Sequence, residues 1–537
     1  MKNAAQDELD AIIVGAGFAG LYALYRLRGL GLSARIFERG GGVGGTWYFN
    51  RYPGARCDIE SLQYSYQFSD ELAQEWQWSE RYSAQPEILR YANHVADRFD
   101  LRKDIRLNTS VTAASFDERC GLWTVRTAAG DSVTARFLIM ATGCLSTANL
   151  PDMPGLSSFS GATYHTGHWP HEGVDFSGLR VGVIGTGSSA IQSIPLIAEQ
   201  AKHLTVFQRT PNYSVPAHNA PLDREEERRV KQDYRGFRER NATTAFDIAG
   251  DWSEVPALSV EDAERERAFE ERWQRGGFHY LGAFGDLLFD ARANDTAGEF
   301  VREKIRTIVK DPVVAELLSP HHAIGTKRLC VDTGYYATFN RPNVTLVDLN
   351  RAPIEAIVPE GVRTQERTYP LDAIVFATGF DAMTGALDRI DIRGRDGLAL
   401  KEAWAAGPKT YLGVATVGFP NFFMLAAGPG SPSVLSNMIP SIEQHVDFVT
   451  DCIRYMGERQ LGIVEATEDA QDAWVAHVNE VANMTLYPSA NSWYVGANIP
   501  GKLRMFLPYI GGYPAYVEKC RTVAASNYEG FALSPRG

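Results

Sequence analysis

The chain has 537 residues, 45% of them hydrophobic and ten of them tryptophan, enough apolar material for a large core and two or three subdomains. Its 53 basic and 65 acidic residues leave a formal charge of -12, which argues against a broad basic face for nucleic acid or an anionic membrane. No apolar run approaches the ~20 residues of a membrane span, and the opening MKNAAQDELD puts acidic residues where a signal peptide carries basic and then apolar ones. The expectation is a cytoplasmic globular protein with small-molecule partners, no nucleic acid, no membrane and no obligate protein partner. The six cysteines are scattered without a CxxC pair, so neither a disulfide framework nor a zinc site is expected.

The first informative stretch is DAIIVGAGFAGLYALYRLRGLGLSARIFERG. Ala11 to Val14 is a short β-type apolar run, Gly15, Gly17 and Gly20 follow at GxGxxG spacing, and Leu21, Leu24 and Leu27 recur with helical period. Without side chains in the turn, backbone N–H groups at the helix N-terminus can approach a pyrophosphate closely. The next strand, ARIFE, ends at Glu38, about the ~20 residues further on where a carboxylate receives a ribose hydroxyl. A lone GxGxxG also fits an ordinary turn; strand, helix and acid in register predict an adenine dinucleotide, NAD or FAD.

Two strand ends, FLIMATGC at Phe137 to Cys144 and AIVFATGFD at Ala373 to Asp381, run into Thr-Gly turns. Each is either a routine exit or a place where backbone comes close to a cofactor. Between them, FSGATYHTGHWP at Phe159 to Pro170 gathers aromatic residues and two histidines. A metal reading of His165, His168 and His171 lacks a supporting carboxylate or cysteine cluster, so no metal is expected and the segment reads as aromatic packing in a linker.

The dinucleotide pattern recurs in LRVGVIGTGSSAIQSIPLIAEQAKHLTVFQRTP, with Gly185, Gly187 and, in third place, Ala190. The strand that follows leads into Gln208-Arg209-Thr210, with no acid. An arginine there removes repulsion and offers a fork of donors to a 2′-phosphate; the alternative is a surface arginine. Read together, the two sites imply electron transfer from NADPH to FAD.

From roughly Leu222 to Pro320, runs such as REEERRVKQDYRGFRER suit solvated amphipathic helices. The expected fold class is therefore α/β, with two Rossmann-like dinucleotide-binding domains and a helical insertion. FAD binding is assigned to 1–150 and 381–537, the linker and NADP binding to 151–221 and 326–380, and the insertion to 222–325. Late in the chain, GPGSPSVLSNM, Gly428 to Met438, alternates small residues and prolines before Val434 and Leu435. That composition fits a loop whose backbone approaches a ligand, or a plain turn before a helix beginning near Ser441.

These residues together resemble a known family, the type I Baeyer-Villiger monooxygenases. FxGxxxHxxxWP is matched at Phe159, Gly161, His165, Trp169 and Pro170, and a longer fingerprint at Gly45, Trp47, Tyr52, Pro53, Gly54 and Asp58 in GGTWYFNRYPGARCD. The resemblance runs from Ile12 to SWYVGANIPGK, with Phe49 where tryptophan is commoner and Ala190 for the third glycine. It implies an enzyme that uses NADPH, FAD and dioxygen to insert one oxygen beside a ketone carbonyl through a C4a-peroxyflavin, giving an ester or lactone.

By resemblance, Arg328 stabilises the peroxy anion and Asp58 orients that guanidinium, while Lys327 reaches the 2′-phosphate and Trp493 lies near the nicotinamide nucleotide. Thr46, Trp47, Tyr64, Val111 and Met438 match positions around the flavin, and Ala19, Tyr48, Phe49, Arg56 and Cys57 match cofactor positions beside them. Thr186, Gly187, Ser188, Ser189, Ala190, Gln192, Arg209 and Thr210 match the second nucleotide site. In the family the FxGxxxHxxxWP segment joins the two nucleotide domains, held by His165 and anchored by Phe159 and Trp169. The loop with Ser433, Val434 and Leu435 is most similar to members acting on phenylacetone and on steroids, which implies aryl-alkyl, bulky cyclic or steroid ketones, with sulfoxidation as a side activity. Flavin-dependent N- or S-oxygenation, an NADPH-dependent flavoprotein reductase and a non-enzymatic flavin-binding module are the alternatives.

Overall fold

The structure, a computed structural model, describes residues 8–535; Met1 to Asp7, part of the acidic opening that argues against a signal peptide, lies outside the described residues. Two sheets organise the chain. In the first, Glu8–Val14 pairs in parallel with Ala34–Phe37 on one side and Ser132–Met140 on the other. The apolar residues between Leu9 and Val14 are buried on both faces, as a central parallel strand requires. The antiparallel strands Val111–Asp117 and Leu122–Thr127 extend this sheet beyond Ser132–Met140. Phe422–Met424 returns from far along the chain to pair with Leu138–Met140, so residues almost three hundred positions apart complete one sheet.

The second sheet is parallel throughout, in the order Val344–Asp348, His203–Gln208, Arg180–Ile184, Ala373–Phe376 and Ala162–His165. Each sheet carries its glycine-rich turn at the C-terminal end of a central strand, followed by a helix: Phe18–Gly29 in the first and Ser188–Gln200 in the second. The fold is α/β with two Rossmann-type units. Between the strands of the second sheet, Arg224–Gln232, Tyr234–Asn241, Asp262–Arg275 and Ala291–Ile308 are helical, as the charged amphipathic runs predict.

A large hydrophobic cluster runs through both units, taking Ala11 and Ile13 from the first sheet and Val181 and Val183 from the second. The units meet closely at Gly54. Its φ is +80°, and a Cβ there would lie 2.3 Å from the Gln192 carbonyl oxygen in the helix of the other unit, so both conformation and space call for glycine. Beside it, the Tyr52 hydroxyl donates to Gln192 Oε1 at 2.9 Å, and Gln192 Nε2 donates to the Arg56 carbonyl at 3.1 Å.

The 428–438 loop is buried from residue 428 to 437, with Met438 half-buried. The helix after it starts at Met438 rather than near Ser441, because Asn437 accepts the Ile439 N–H and caps it. No described helix is long and apolar enough to cross a membrane.

Replacing Gly54 by Ala forces a left-handed residue and a backbone clash into this junction. We expect a cost of about 1–3 kcal/mol, read as an apparent melting temperature a few degrees lower. A variant that melts with the wild type would show that the contact is loose.

Candidate active site

Two helix N-termini face the C-terminal ends of the two sheets, and neither has a side-chain cap or an acid in its first turn. Their first N–H groups are therefore available to an anion, with the helix dipole favouring it. In the first cradle a Cβ on Gly15 would fall 2.4 Å from the Ala141 carbonyl oxygen, and one on Gly20 would fall 1.9 Å from that of Gly15. Gly17 lies against Gly45, so the GxGxxG turn and the turn that opens the short helix Thr46–Phe49 touch. Ala19 is buried in the first helix.

Glu38, 4% exposed, accepts the Ala16 N–H at Oε2 (2.7 Å) and the Gly40 N–H at Oε1 (2.6 Å). Each oxygen retains a lone pair for a hydroxyl donor. Trp47 Nε1 donates to the hydroxyl of half-buried Tyr64 at 3.1 Å, Tyr48 lies over Gly42 and accepts the Gly41 N–H at its hydroxyl, and the Arg39 guanidinium stands 4.5 Å over the Phe49 ring. Thr46 is exposed. Val111 opens its strand two residues after Thr109, whose N–H donates to the Glu38 carbonyl.

In the second cradle, a Cβ on Gly187 would meet open space, whereas one on Gly185 would fall 2.4 Å from the Ala377 carbonyl oxygen. The Thr186 hydroxyl donates to the Thr210 carbonyl at 2.7 Å, Ser189 Oγ lies 3.1 Å from Thr166 Oγ1, Ser188 Oγ lies 3.3 Å from Cys330 Sγ, and Ala190 is fully buried. Gln192, expected among the nucleotide residues, has its amide engaged by Tyr52 and Arg56 across the junction. Arg209 and Lys327 face each other; burial and then Arg209 lower the Lys327 pKa. Two cations held this close, with no carboxylate paired to either among the described residues, make a site that an anion relieves.

Arg328 is brought to the first unit by the parallel pairing of Ser214–Pro216 with Cys330–Asp332, and Asn212 Nδ2 donates to its carbonyl at 3.1 Å. Its guanidinium makes the two-pronged contact expected of Arg with a carboxylate: Nε to Asp58 Oδ2 at 3.0 Å and Nη2 to Asp58 Oδ1 at 2.8 Å. Nη1 donates to the Val434 carbonyl at 2.8 Å, and the group stands 4.5 Å over the Phe278 ring. Burial alone would lower its pKa, but Asp58 and then Tyr494 hold it above the ordinary value, so the cation is permanent. The Tyr494 hydroxyl is pushed up to about 12, chiefly by burial, and stays neutral, its oxygen accepting from Arg328. Burial likewise raises the thiols of Cys57, Cys144 and Cys330, which makes them unreactive neighbours.

Beside Arg328 lies an apolar cavity lined among others by Phe246, Ile248, Trp252, Phe278, Leu435 and Tyr487. Of the three loop residues expected in a substrate pocket, Leu435 lines it, while Val434 presents its carbonyl to Arg328 and Ser433 is fully buried. Met438 and Trp493 pack against the cluster of Val434, Leu435 and Tyr494. Sequence reasoning missed Phe246, Trp252, Phe278 and Tyr494. The available signal was the density of aromatic and glycine residues in FDIAGDW and GGFHYLG, set between charged helices.

The FxGxxxHxxxWP segment lies at the edge of the second sheet. Trp169 is buried between Tyr164 and Phe176, Phe159 packs with the cluster on the far face of that sheet, and Pro170 follows half-buried. A Cβ on Gly161 would fall 2.3 Å from the Asp372 carbonyl oxygen. His165, its pKa depressed to about 4 by burial and then by His168, is neutral; Nδ1 accepts the Gly167 N–H at 2.9 Å and Nε2 lies 3.3 Å from Thr378 Oγ1. Thr378 in turn donates to the Asn149 carbonyl at 2.5 Å, so this histidine ties together strands that cross between the units. No cluster of potential metal ligands occurs among the described residues.

The family described as "pyridine nucleotide-disulphide oxidoreductase" matches residues 12–233. A Baeyer-Villiger monooxygenase of Pseudooceanicola batsensis is 44% identical over 97% of this chain and 95% of its own length. Phenazine N-monooxygenase PhzNO1 of Lysobacter antibioticus is 43% identical over 98% and 97%. A solved structure of oxidised steroid monooxygenase bound to NADP superposes with a TM-score of 0.94 at 54% identity, over 99% of this chain and 100% of that one. With two uncapped dinucleotide cradles, a fixed guanidinium between them and this likeness over nearly its whole length, the chain belongs to the type I Baeyer-Villiger monooxygenases, enzymes that depend on FAD and NADPH.

Proposed function

We propose that the cavity between the two units takes an aryl-alkyl, bulky cyclic or steroid ketone and that Arg328 is the catalytic cation. When bound, NADPH would give a hydride to FAD, and the reduced flavin would activate dioxygen, one atom of which would enter the ketone while the other leaves as water. The cradles suit those groups: Gly15, Gly17 and Gly20 leave no side chain where a pyrophosphate would lie, Glu38 retains lone pairs for a ribose, and Arg209 with Lys327 lacks only an anion. Thr46, Trp47, Tyr64 and Met438 then flank the flavin, and Trp493 the nicotinamide nucleotide.

The observation that carries the reading is the two-pronged Asp58–Arg328 pair at the rim of an apolar cavity. The contact orients the guanidinium and uses Nε and one Nη2 hydrogen, and Nη1 gives another to Val434. A further N–H meets the Tyr494 hydroxyl oxygen, and what remains of the donor fork is left to steady negative charge where oxygen is transferred. Phe278 beneath and Tyr494 beside the guanidinium limit its access to water to 23% exposure of the side chain, so the charge is only partly screened. His165 serves as a fastening and stays an uncharged imidazole near neutral pH. The same plan supports oxygenation at nitrogen, as the name of the Lysobacter relative indicates. The match of both fingerprints and the Asp58–Arg328 pair favour the ketone reaction. A cytoplasmic protein working without a protein partner agrees with this reading.

Aerobic incubation with NADPH and a panel of linear, cyclic, aryl and steroid ketones, read by mass, should give esters or lactones heavier by one oxygen; N-oxides from amine substrates with no ester would overturn the ketone reading. Arg328→Ala should still let NADPH reduce the flavin in stopped flow but lose ester formation by ~3 kcal/mol or more, the scale of a deleted oxyanion donor. Asp58→Ala should weaken the same step by releasing the guanidinium. A normal ester yield from the Arg328 variant would remove it from the mechanism.

Leu435 and Ser436 are the loop residues that line the cavity, and Leu435 is the apolar one. Its replacement by Gly should widen acceptance of bulky ketones, seen as a lower KM for a steroid ketone, with NADPH-driven flavin reduction intact. An unchanged ketone profile would place the loop outside the substrate site.

A further inference from the structure

One wall of the cavity hides a carboxyl group that the oxygenation does not use. Asp247 stands between Phe246 and Ile248, which line the cavity, yet is itself 1% exposed, and its Oδ2 has no hydrogen-bond partner. Its φ is +51°, a left-handed conformation that Asp and Asn tolerate better than other side chains. Backbone contacts tie the turn on several sides: the Asn437 N–H donates to the Phe246 carbonyl, the Tyr513 N–H to that of Ala245, the Ala249 N–H to Gln63 Oε1, and Trp252 Nε1 to the Ile248 carbonyl. The wall is thus built around Asp247, whose carboxyl is its least satisfied polar group.

The groups facing Asp247 decide its charge. Glu443 approaches from the helix Met438–Glu458 and Tyr513 from the helix Tyr513–Ala525. Glu443, 6% exposed, accepts the Gln67 and Phe68 N–H groups at Oε1 and itself faces Arg238 and Asp447. Tyr513 also faces Glu443, Asp447 and Arg521. Arg238 gives its Nη2 to the Tyr66 carbonyl and Ser65 and acts on Glu443, not on Asp247. An ionised Asp247 would be a buried charge beside the Glu443 carboxyl with no cation and no donor of its own, an arrangement that strongly favours the protonated form. Burial, and then Glu443, push Asp247 up to about 8, and burial pushes Glu443 up to about 8 as well.

We propose that Asp247, kept as a neutral acid against Glu443, is a positioning residue that holds the Thr244–Trp252 wall of the cavity in its closed, ketone-contacting form. The role in ketone binding rests on the reading of the cavity given above; the role in ordering the wall does not. The closed wall keeps the proton, whereas an opened wall exposes Asp247 to water, where it ionises near its ordinary value of about 3.9. Between there and about 8, each rise in pH therefore favours the opened wall, and the effect levels off above about 8. Stability of the closed form is fully present at low pH and is lost as pH rises.

The test is hydrogen exchange of residues 244–252 in the FAD- and NADP-loaded enzyme from pH 5.5 to 9.5, corrected for intrinsic exchange, alongside the KM for phenylacetone. In the wild type the protection of this segment should fall at least tenfold toward pH 8 and then level, with KM rising severalfold and the rate of flavin reduction unchanged. Asp247→Asn keeps shape and left-handed tolerance without an ionisable group, and should hold both quantities nearly constant across the range. Protection that does not vary with pH in the wild type, or that varies equally in Asp247→Asn, would overturn the proposal. If Asp247→Asn fails to fold, the wild-type exchange profile decides alone. A pH-dependent wall with no conversion of any ketone would support the positioning role while removing the ketone reading.

Discussion

The guanidinium of Arg328 imposes the constraint around which the rest of the site is arranged. A cation only 23% exposed at its side chain is costly unless a carboxylate meets it in good geometry and further acceptors satisfy its donors. Asp58 supplies the first and the Val434 carbonyl the second. These partners come from three distant parts of the chain, so satisfying one charge fixes the 52–58 loop, the strand at 330–332 and the 428–438 loop relative to one another. The Phe278 ring and the Tyr494 hydroxyl then close over the group.

The same economy of space joins the two units. Gly15 and Gly185 occupy equivalent turns, each with a carbonyl 2.4 Å from where a Cβ would be, Ala141 in one case and Ala377 in the other. Those carbonyls belong to the two Thr-Gly strand exits, so each exit braces the glycine turn of its own sheet. From there the exits run side by side: Asn149 donates to the Gly379 carbonyl, Asp381 to that of Thr147 and Met383 to that of Cys144. His165 holds this crossing from the second sheet through Thr378. The histidine-rich segment is thus a fastening between two nucleotide-binding units, which is why its ring is buried and neutral rather than exposed and reactive.

Charge in the interior follows one rule with opposite outcomes. Arg328 stays charged because Asp58 answers it. Glu60, though burial opposes its charge, is held to about 2 by His279 and Arg81. Asp247 has no such partner and is held neutral. The cavity therefore has a permanently charged rim at Arg328 and an uncharged wall at 246–248, a division that suits a ligand with one polar group on an apolar body.

How much of this was legible in the sequence depends on the range of the interaction. GxGxxG, the terminal Glu38 and the Gln208-Arg209-Thr210 ending announce themselves because the chemistry of a phosphate-binding turn is contained in some thirty consecutive residues, and the burial of residues 11–14 and 181–184 follows from their unbroken apolar runs. The pairing of Asp58 with Arg328 was expected only from resemblance; nothing local to either residue points to a partner 270 positions away. The return of Phe422–Met424 to the first sheet, the use of Gln192 as a bridge, and the aromatic wall from Phe246, Trp252 and Phe278 were decided by tertiary structure alone. Side-chain type and periodicity report what a residue does within its own strand or helix, whereas a cavity and a buried charge pair exist only where distant segments are brought together by burying their common apolar faces.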